Sequence, residues 1–431
     1  MKARSAEQSV YHIYVFPENT GTRQVDFYPV ERSIVKTENP KKTEHILWID
    51  GLRGIACFLI FAHHLALHFY PSVYYGELET PHLPHRIDVR LATSPLGVII
   101  NGNFFLCVFL LISAYLTASG IMRYERADLP RGVFQAFIKR WPRLMFPALA
   151  TGLLNYVTVS LLYRTGLSGV APTQSLPELL LHSILIQWFT MDSSVLGPFW
   201  MLHLLLLGSW AIMLLSIPAA LLKKRRAVLW VAYVLFLIPA ARISHYFFCM
   251  QLGLILAYGH AFGKQPASGP RTRLAGGFCI AAGLFLGGYP SFAIPHNGYR
   301  IFDFLLYNID EAYQLIHSTG ALLLVYGLFL IYSRKKDGIL TARPFQWLGK
   351  RSYSVFLVHV IVINTFSYLL SEKLLACGVG YLTSVIITVP LTVALVLLLS
   401  ALFYRFAEQP CAKLTAKLVA LLTKRRPSEA G

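Results

Sequence analysis

The 431-residue chain carries a net charge of +18, yet only 14% of its residues are charged and 55% are hydrophobic. A mean hydropathy of +0.53 excludes a soluble enzyme built around one large core. The Lys and Arg residues lie in short loops between long apolar blocks, which is typical of membrane-flanking charge and not of a nucleic-acid-binding surface. We therefore predict an all-α polytopic, integral membrane protein that does not bind nucleic acid, in either an endomembrane or the plasma membrane.

Ten apolar segments are long enough to cross a bilayer, and they cover residues 51–70, 95–120, 144–163, 198–222, 228–244, 246–263, 274–289, 312–332, 352–370 and 383–404. If they alternate across the membrane, 32 of the 39 Lys and Arg residues lie on the N-terminal side. The positive-inside rule then places both termini in the cytosol. We expect a flexible cytosolic N-terminal tail (1–49), a transmembrane domain (50–410) and a basic cytosolic C-terminal tail (411–431). The division between segments five and six depends on a turn at residues 242–245.

The first apolar segment carries an arginine near its start and two adjacent histidines in its middle. Arg53 and His64 are eleven residues apart, so in a helix they share one face and lie about 16 Å apart along the axis. Ionisable side chains at this depth each cost about 2.5–3.5 kcal/mol and are usually functional. A hydrogen bond from the histidine to a neighbouring helix is the structural alternative.

The loop predicted at residues 121–143 ends in a dense cationic stretch, Arg140-Trp-Pro-Arg143, with Pro142 expected in the first turn of the third helix. Two guanidinium groups three residues apart suit a multiply charged phosphate ligand, which they bind bidentately. Contact with anionic lipid headgroups is the alternative.

Several other polar side chains have more than one interpretation. Asn103 and Ser113 in the second segment, and Ser352 and His359 in the ninth, either face a polar cavity or bond between helices. In segment 71–94 the spacing of the His, Asp and Glu residues is irregular, so we favour an outer loop over a metal site. We expect no metal site.

The order of motifs resembles the integral-membrane acyltransferase type 3 family. The first helix, Trp48-Ile-Asp-Gly-Leu-Arg53, is similar to the family's opening motif, with a His eleven residues after the Arg. Further similar motifs are Asn103-Phe-Phe through Ser113-Ala-Tyr-Leu, Arg140-Trp-Pro-Arg143-Leu, Leu348-Gly-Lys-Arg-Ser352-Tyr353 through His359, and Glu408-Gln-Pro. These motifs cover most of the chain, and the fungal members resemble it near Trp200.

The resemblance implies an O-acyltransferase that uses acyl-coenzyme A, with acetyl-coenzyme A as the expected co-substrate and no bound cofactor. It implies His64 as general base, since an imidazole titrates near neutral pH. It also implies a catalytic role for Arg53. An acyl-histidine intermediate is the alternative route. Coenzyme A phosphates would be held by Arg53, Arg140 and Arg143. The other side chains expected to line the cavity are Asp50, His68, Asn103, Ser113, Trp200, Ser352, Tyr353 and His359.

One departure concerns a carboxylate. The family carries a Glu five residues after the Trp that corresponds to Trp200, whereas this chain has Leu205. We predict transfer to a hydroxyl of a small lipophilic metabolite, as in secondary metabolism, with the lipid bilayer as surroundings and without an obligate protein partner. A membrane transporter and a catalytically inactive relative that acts as a scaffold are the alternatives.

Overall fold

The structure is a computed structural model that describes residues 46–263, 267, 269–292, 299, 302, 311–332 and 338–423. Its long helices, in chain order, are α1 (Leu47–Phe69), α2 (Gly102–Met122), α3 (Leu129–Arg164), α4 (Gly197–Leu221), α5 (Arg226–Ile243), α6 (His245–Phe262), α7 (Pro270–Gly287), α8 (Ala312–Tyr332), α9 (Arg343–Ala376) and α10 (Tyr381–Leu422). A shorter helix spans Leu176–Phe189. The described residues contain no strand, so the prediction of an all-α polytopic membrane protein is confirmed.

Eight of these helices, all except α6 and α7, are long and apolar enough to cross a membrane. Each of the ten predicted segments overlaps one of these helices. Two of the helices, α6 and α7, are less apolar than the others. Helix α6 contains the buried amide of Gln251, and α7 begins with Arg271 and Arg273 in its first turns. The predicted turn between segments five and six is confirmed, because Ser244 is extended between α5 and α6. The cytosolic position of the termini stays a prediction.

Helix α2 lies at the centre of the bundle, where it contacts α1, α4, α6 and α8. Most of its side chains are buried; Phe104, Cys107 and Leu110 are fully buried. Asn101 caps the helix, since its side-chain oxygen accepts the backbone N–H of Phe104 at 3.3 Å. The Asn101 amide nitrogen also donates to the carbonyl of Gly287, which ties the start of α2 to the end of α7.

Helices α1 and α9 touch backbone to backbone at two glycines. A Cβ at Gly349 would lie 2.2 Å from the carbonyl oxygen of Asp50, and a Cβ at Gly54 would lie 2.5 Å from the backbone nitrogen of Gly349. This approach brings the Nη2 of Arg53 within 2.9 Å of the Gly349 carbonyl oxygen. The glycines therefore set the position of the arginine as well as the helix contact.

We expect Gly349→Ala to lower the free energy of unfolding by about 1–3 kcal/mol, because the methyl group overpacks this contact. Gly120→Ala is the matched control, since a Cβ at Gly120 meets no atom within 4 Å and alanine favours a helix by up to about 1 kcal/mol. Thermal unfolding in detergent measures both. Equal unfolding temperatures for the two variants would contradict the close contact.

The prediction of a loop up to residue 143 is wrong, because α3 begins at Leu129, with Pro130 in its first turn. Pro142 is therefore inside the helix and not at its start. The basic composition concealed an apolar face at helical spacing: Leu129, Val133 and Ala136 belong to a hydrophobic cluster that includes Met213 of α4. Arg140 and Arg143 remain one turn apart on this helix, as the sequence suggested.

Helix α10 continues without a break through the predicted C-terminal tail to Leu422. Its last part packs along α3, with Thr415 and Val419 buried and the Gln135 amide donating to the Thr423 hydroxyl at 3.2 Å. The described residues lie in one compact unit. The division into tails and domain at residues 49 and 411 stays a prediction.

Candidate active site

A cavity of about 210 Å³ lies among α1, α2, α3, α4, α9 and α10. Six of the predicted site residues line it together: Arg53, Ser113, Arg140, Arg143, Ser352 and Tyr353. They come from four helices and from positions as far apart as 53 and 353. Two further charged side chains, Lys350 and Glu408, line the same cavity. Four cations and one carboxylate thus face a small common space.

The two innermost guanidinium groups lack part of their hydrogen bonding. Arg140 donates from Nη2 to the Ser113 hydroxyl at 3.1 Å, and Arg53 lies 3.4 Å from the Asp50 carboxylate. The Nε atoms of both arginines are nevertheless buried without a partner among the described residues. A buried donor without an acceptor costs about 1–3 kcal/mol or more when charged, so this cavity suits a ligand with several anionic oxygens.

Glu408 is the carboxylate of this cavity. It lies in a π-helical segment of α10, Tyr404–Glu408, and accepts a hydrogen bond from the Ser354 hydroxyl at 2.5 Å. Leu205, where the resemblance predicts a glutamate, lies in another π-helical segment, Leu204–Gly208, and also lines the cavity. Helix α10 therefore supplies the carboxylate of the cavity, whereas α4 contributes the apolar side chain of Leu205.

The histidines of α1 meet one histidine of α9. The ring of His64 lies 5.2 Å from that of His359 and 5.1 Å from that of His63, centre to centre. The predicted base is thus directed into the bundle and not toward lipid. The residues that line the cationic cavity do not include His64; about 16 Å of helix α1 separates it from Arg53.

Hydrogen bonds define the proton positions on two of these rings. Nδ1 of His359 lies 2.7 Å from the carbonyl oxygen of Phe356, and Nδ1 of His63 lies 2.8 Å from that of Ile100. A carbonyl only accepts, so both rings carry hydrogen on Nδ1. The Nε2 atom of His359 is then an acceptor, and it is buried without a partner among the described residues.

Asn103 and Trp200 lie apart from the cavity, in a network that the sequence did not indicate. The Tyr246 hydroxyl donates to the Asn103 side-chain oxygen at 2.6 Å, and the Tyr246 ring contacts that of Trp200. The Asn103 amide donates to Nδ1 of His317 at 2.8 Å, and Nε2 of His317 donates to the carbonyl of Tyr289 at 2.8 Å. His317 is fully buried with both nitrogens bonded, which is typical of a structural histidine.

The two remaining predicted residues lie at opposite ends of α1. Asp50 forms the ion pair with Arg53 already described. His68 is half-buried, and its ring lies 6.5 Å from that of Tyr368 on α9.

A second cavity, of about 280 Å³, lies beside the ring of Tyr368. Among the residues that line it are uncharged polar side chains and apolar ones: Asn155, Tyr156, Ser168, Thr173, Gln174, Leu179, Ser194, Leu196, Asn364, Thr365, Tyr368 and Leu369. None of its lining residues is charged. Helix α9 therefore passes from the cationic cavity at Ser352, past His359, to an uncharged cavity at Asn364.

In the segment after α1, Asp88 is a structural residue. Its carboxylate is fully buried and accepts hydrogen bonds from the Ser72 hydroxyl at 2.7 Å and from the backbone N–H groups of His82, Leu83 and Val89. Across the described part of the chain, no three His, Cys, Asp or Glu side chains are grouped to hold a metal ion.

Acid should weaken this segment through Asp88. Burial raises the pKa of the carboxyl, but the hydrogen bonds from Ser72, His82, Leu83 and Val89 outweigh burial, and the net pKa is lowered. Because the folded pKa is below the unfolded one, the stabilisation is complete above the unfolded pKa and is lost as the pH falls through the folded pKa.

We expect Asp88→Asn to lower the unfolding temperature at pH 7 and to lower it less as the pH falls below about 4, the unfolded Asp value. Thermal unfolding across pH measures this. Glu79→Gln, on an exposed neighbour, is the control. A difference between Asp88→Asn and the unsubstituted protein that is the same at every pH would contradict the argument.

Comparison with known protein families identifies a match over most of the chain. A family model described as an acyltransferase domain, that of the type 3 acyltransferases, matches residues 46–405. This range contains α1 to α9 and the first half of α10, but ends before Glu408. Neither the curated proteins nor the solved structures contain a significant match.

Proposed function

Because this chain belongs to the integral-membrane acyltransferase type 3 family, we propose that it transfers an acyl group from acyl-coenzyme A to a hydroxyl group of a small lipophilic metabolite. The expected donor is acetyl-coenzyme A. The observation that carries this proposal is the convergence of Arg53, Arg140, Arg143 and Lys350 on one cavity. The family supplies acyl transfer, and the cavity supports a donor with several phosphate charges.

The donor phosphates bind the arginines in this proposal. The unpartnered Nε atoms of Arg53 and Arg140 need acceptor oxygens, and phosphate groups supply them. A volume of about 210 Å³ is below the about 300–1,000 Å³ of pockets that enclose a whole drug-sized ligand. The cavity therefore holds the phosphate part of coenzyme A, and the exposed Arg143 and Lys350 attract it from solvent.

The chemistry takes place at His64. The pantetheine arm extends along α1 and brings the thioester to the histidines, about 16 Å from Arg53. His64 removes the proton of the acceptor hydroxyl while the hydroxyl oxygen attacks the thioester carbonyl. The C–O bond forms, the C–S bond breaks, and the proton passes from His64 to the departing thiolate. Arg53 holds the donor in register for this step.

The acceptor fits the second cavity. A hydroxylated, uncharged molecule matches its hydroxyl and amide side chains together with Leu179, Leu196 and Leu369. Helix α9 connects this cavity to the histidines, since Asn364 follows His359 by five residues, or about 8 Å.

Equilibrium binding and turnover test the proposal. Purified protein in nanodiscs is titrated with coenzyme A and, as the control, with pantetheine, which lacks both the phosphates and the adenosine. We expect coenzyme A to bind and pantetheine to bind far more weakly. Labelled acetyl-coenzyme A with a panel of lipophilic alcohols then gives labelled esters, which mass spectrometry detects. Equal binding of the two ligands would overturn the donor site.

Leu205 favours a second candidate function, in which the chain is a catalytically inactive relative of the family. The apolar leucine occupies a position where the family carries a glutamate, and it lines the cavity. An inactive relative would bind coenzyme A but form no ester with any alcohol in the panel and release no free thiol from acetyl-coenzyme A.

A further inference from the structure

His359 has a free acceptor at a buried position. Its side chain is fully buried, and its Nδ1–H is engaged by the carbonyls of Val355 and Phe356 at 3.1 and 2.7 Å. The Nε2 lone pair therefore has no donor among the described residues. Buried polar atoms are normally hydrogen-bonded, so an exception next to the proposed base needs a physical reason.

Among the aromatic rings that contact His359, that of His64 is the polar one. Phe61 and Phe356 each pack at 6.0 Å from the His359 ring, centre to centre, and both are apolar. The ring of His64 lies at 5.2 Å with a tilt of 37°. His63 also touches His64, but the Nε2 of His63 is not among the buried atoms that lack a partner. At this separation a nitrogen of His64 is within hydrogen-bond reach of Nε2 of His359 if the two atoms face each other.

A general base needs a partner that fixes its tautomer, as the aspartate does in serine proteases. The obvious carboxylates are unsuited to this role. Leu205 replaces the family glutamate, and Glu408 is bonded to Ser354 in the cationic cavity. A neutral imidazole acceptor also avoids the cost of about 2.5–3.5 kcal/mol or more for an ionised carboxylate at membrane depth.

We propose that His359 is the positioning residue for His64. Its Nε2 accepts the N–H of one His64 nitrogen, which leaves the lone pair of the other nitrogen for the acceptor hydroxyl. During transfer the hydroxyl proton moves to that free nitrogen, while the other N–H of His64 keeps its hydrogen bond to Nε2 of His359. The thiolate then takes the transferred proton. This role rests on the proposed acyl transfer with His64 as base.

Two isosteric variants separate this role from simple packing. In His359→Gln the terminal amide oxygen takes the place of Nε2 and the acceptor is kept. In His359→Asn the amide nitrogen replaces Nδ1–H and nothing replaces Nε2. With acetyl-coenzyme A and the best alcohol of the panel, we expect His359→Asn to lower kcat about 100-fold with unchanged KM for the donor. We expect His359→Gln to keep at least about a tenth of kcat.

A double-variant cycle completes the test, with thermal unfolding to verify that each variant folds. Adding His359→Asn to His64→Gln should cost no further activity, because the partner has lost the ring that it positions. Equal losses in both backgrounds, or equal activities of His359→Asn and His359→Gln, would overturn the role of His359 alone. If the unsubstituted protein forms no ester, the proposed function itself fails.

Discussion

His64→Gln is expected to lower kcat for acyl transfer by about 100- to 10,000-fold, the range that a positioned general base contributes. Glutamine keeps the approximate size and polarity of the side chain but accepts no proton near neutral pH. The cationic cavity does not include His64, so coenzyme A should bind with unchanged affinity. Ester formation from labelled acetyl-coenzyme A and titration with coenzyme A measure the two effects separately.

The control for this change is His245→Gln at the start of α6, a half-buried histidine outside both cavities. It should leave kcat unchanged. Thermal unfolding distinguishes lost chemistry from lost structure. If His64→Gln turns over at the rate of the unsubstituted protein, the base must be another group and the mechanism proposed above is wrong.

Arg140→Gln is expected to raise the dissociation constant for coenzyme A by about 10- to 100-fold. A hydrogen bond to a charged group contributes about 1.5–3 kcal/mol, and Arg140 is directed into the cavity, where its Nε atom lacks a protein acceptor. The interaction is made in both ground and transition states, so KM for acetyl-coenzyme A should rise while kcat stays nearly constant.

Lys139→Gln is the matched control for Arg140→Gln, because it removes the same charge one residue away from an exposed side chain that does not line the cavity. Its effect should be small and should disappear in high salt, where exposed charges are screened. The same loss of affinity in both variants would mean that the arginine acts only through the general positive charge of this surface.

The membrane fold followed from the sequence, because lipid imposes a simple rule on each segment separately. A helix that satisfies its own backbone and carries an apolar surface can be recognised without knowing its neighbours. Even the break at Ser244 was found in this way. The same reasoning failed at α3, where the charged exposed side hid the apolar stripe that packs on α4.

The candidate site was predicted only in part. Arg53, Arg140 and Arg143 were found by their motifs, but Lys350 was assigned to the basic inner loops, where it had no individual role. Glu408 was part of a recognised motif, but the sequence did not place its side chain in the site. Leu205 and Glu408 each lie in a π-helical segment of their own, and such a segment inserts an extra residue into a helix. Beyond such an insertion, counting at 3.6 residues per turn assigns side chains to the wrong face.

The histidine pair illustrates another limit. The spacing of Arg53 and His64 gave their common face on one helix, but the approach of His359 depends on the glycine contact between α1 and α9. Contacts between distant parts of the chain arise from packing, which a local pattern does not encode.

The uninterrupted course of α10 has a practical consequence for shortened forms of this protein. A chain ended at residue 405, the limit of the family match, would keep its apolar helices and insert into membranes. It would also lose Glu408 and Ala412 from one wall of the cationic cavity, together with the last part of α10, which packs along α3. Such a fragment would lack one wall of the pocket, so an activity measured on it would not represent that of the whole chain.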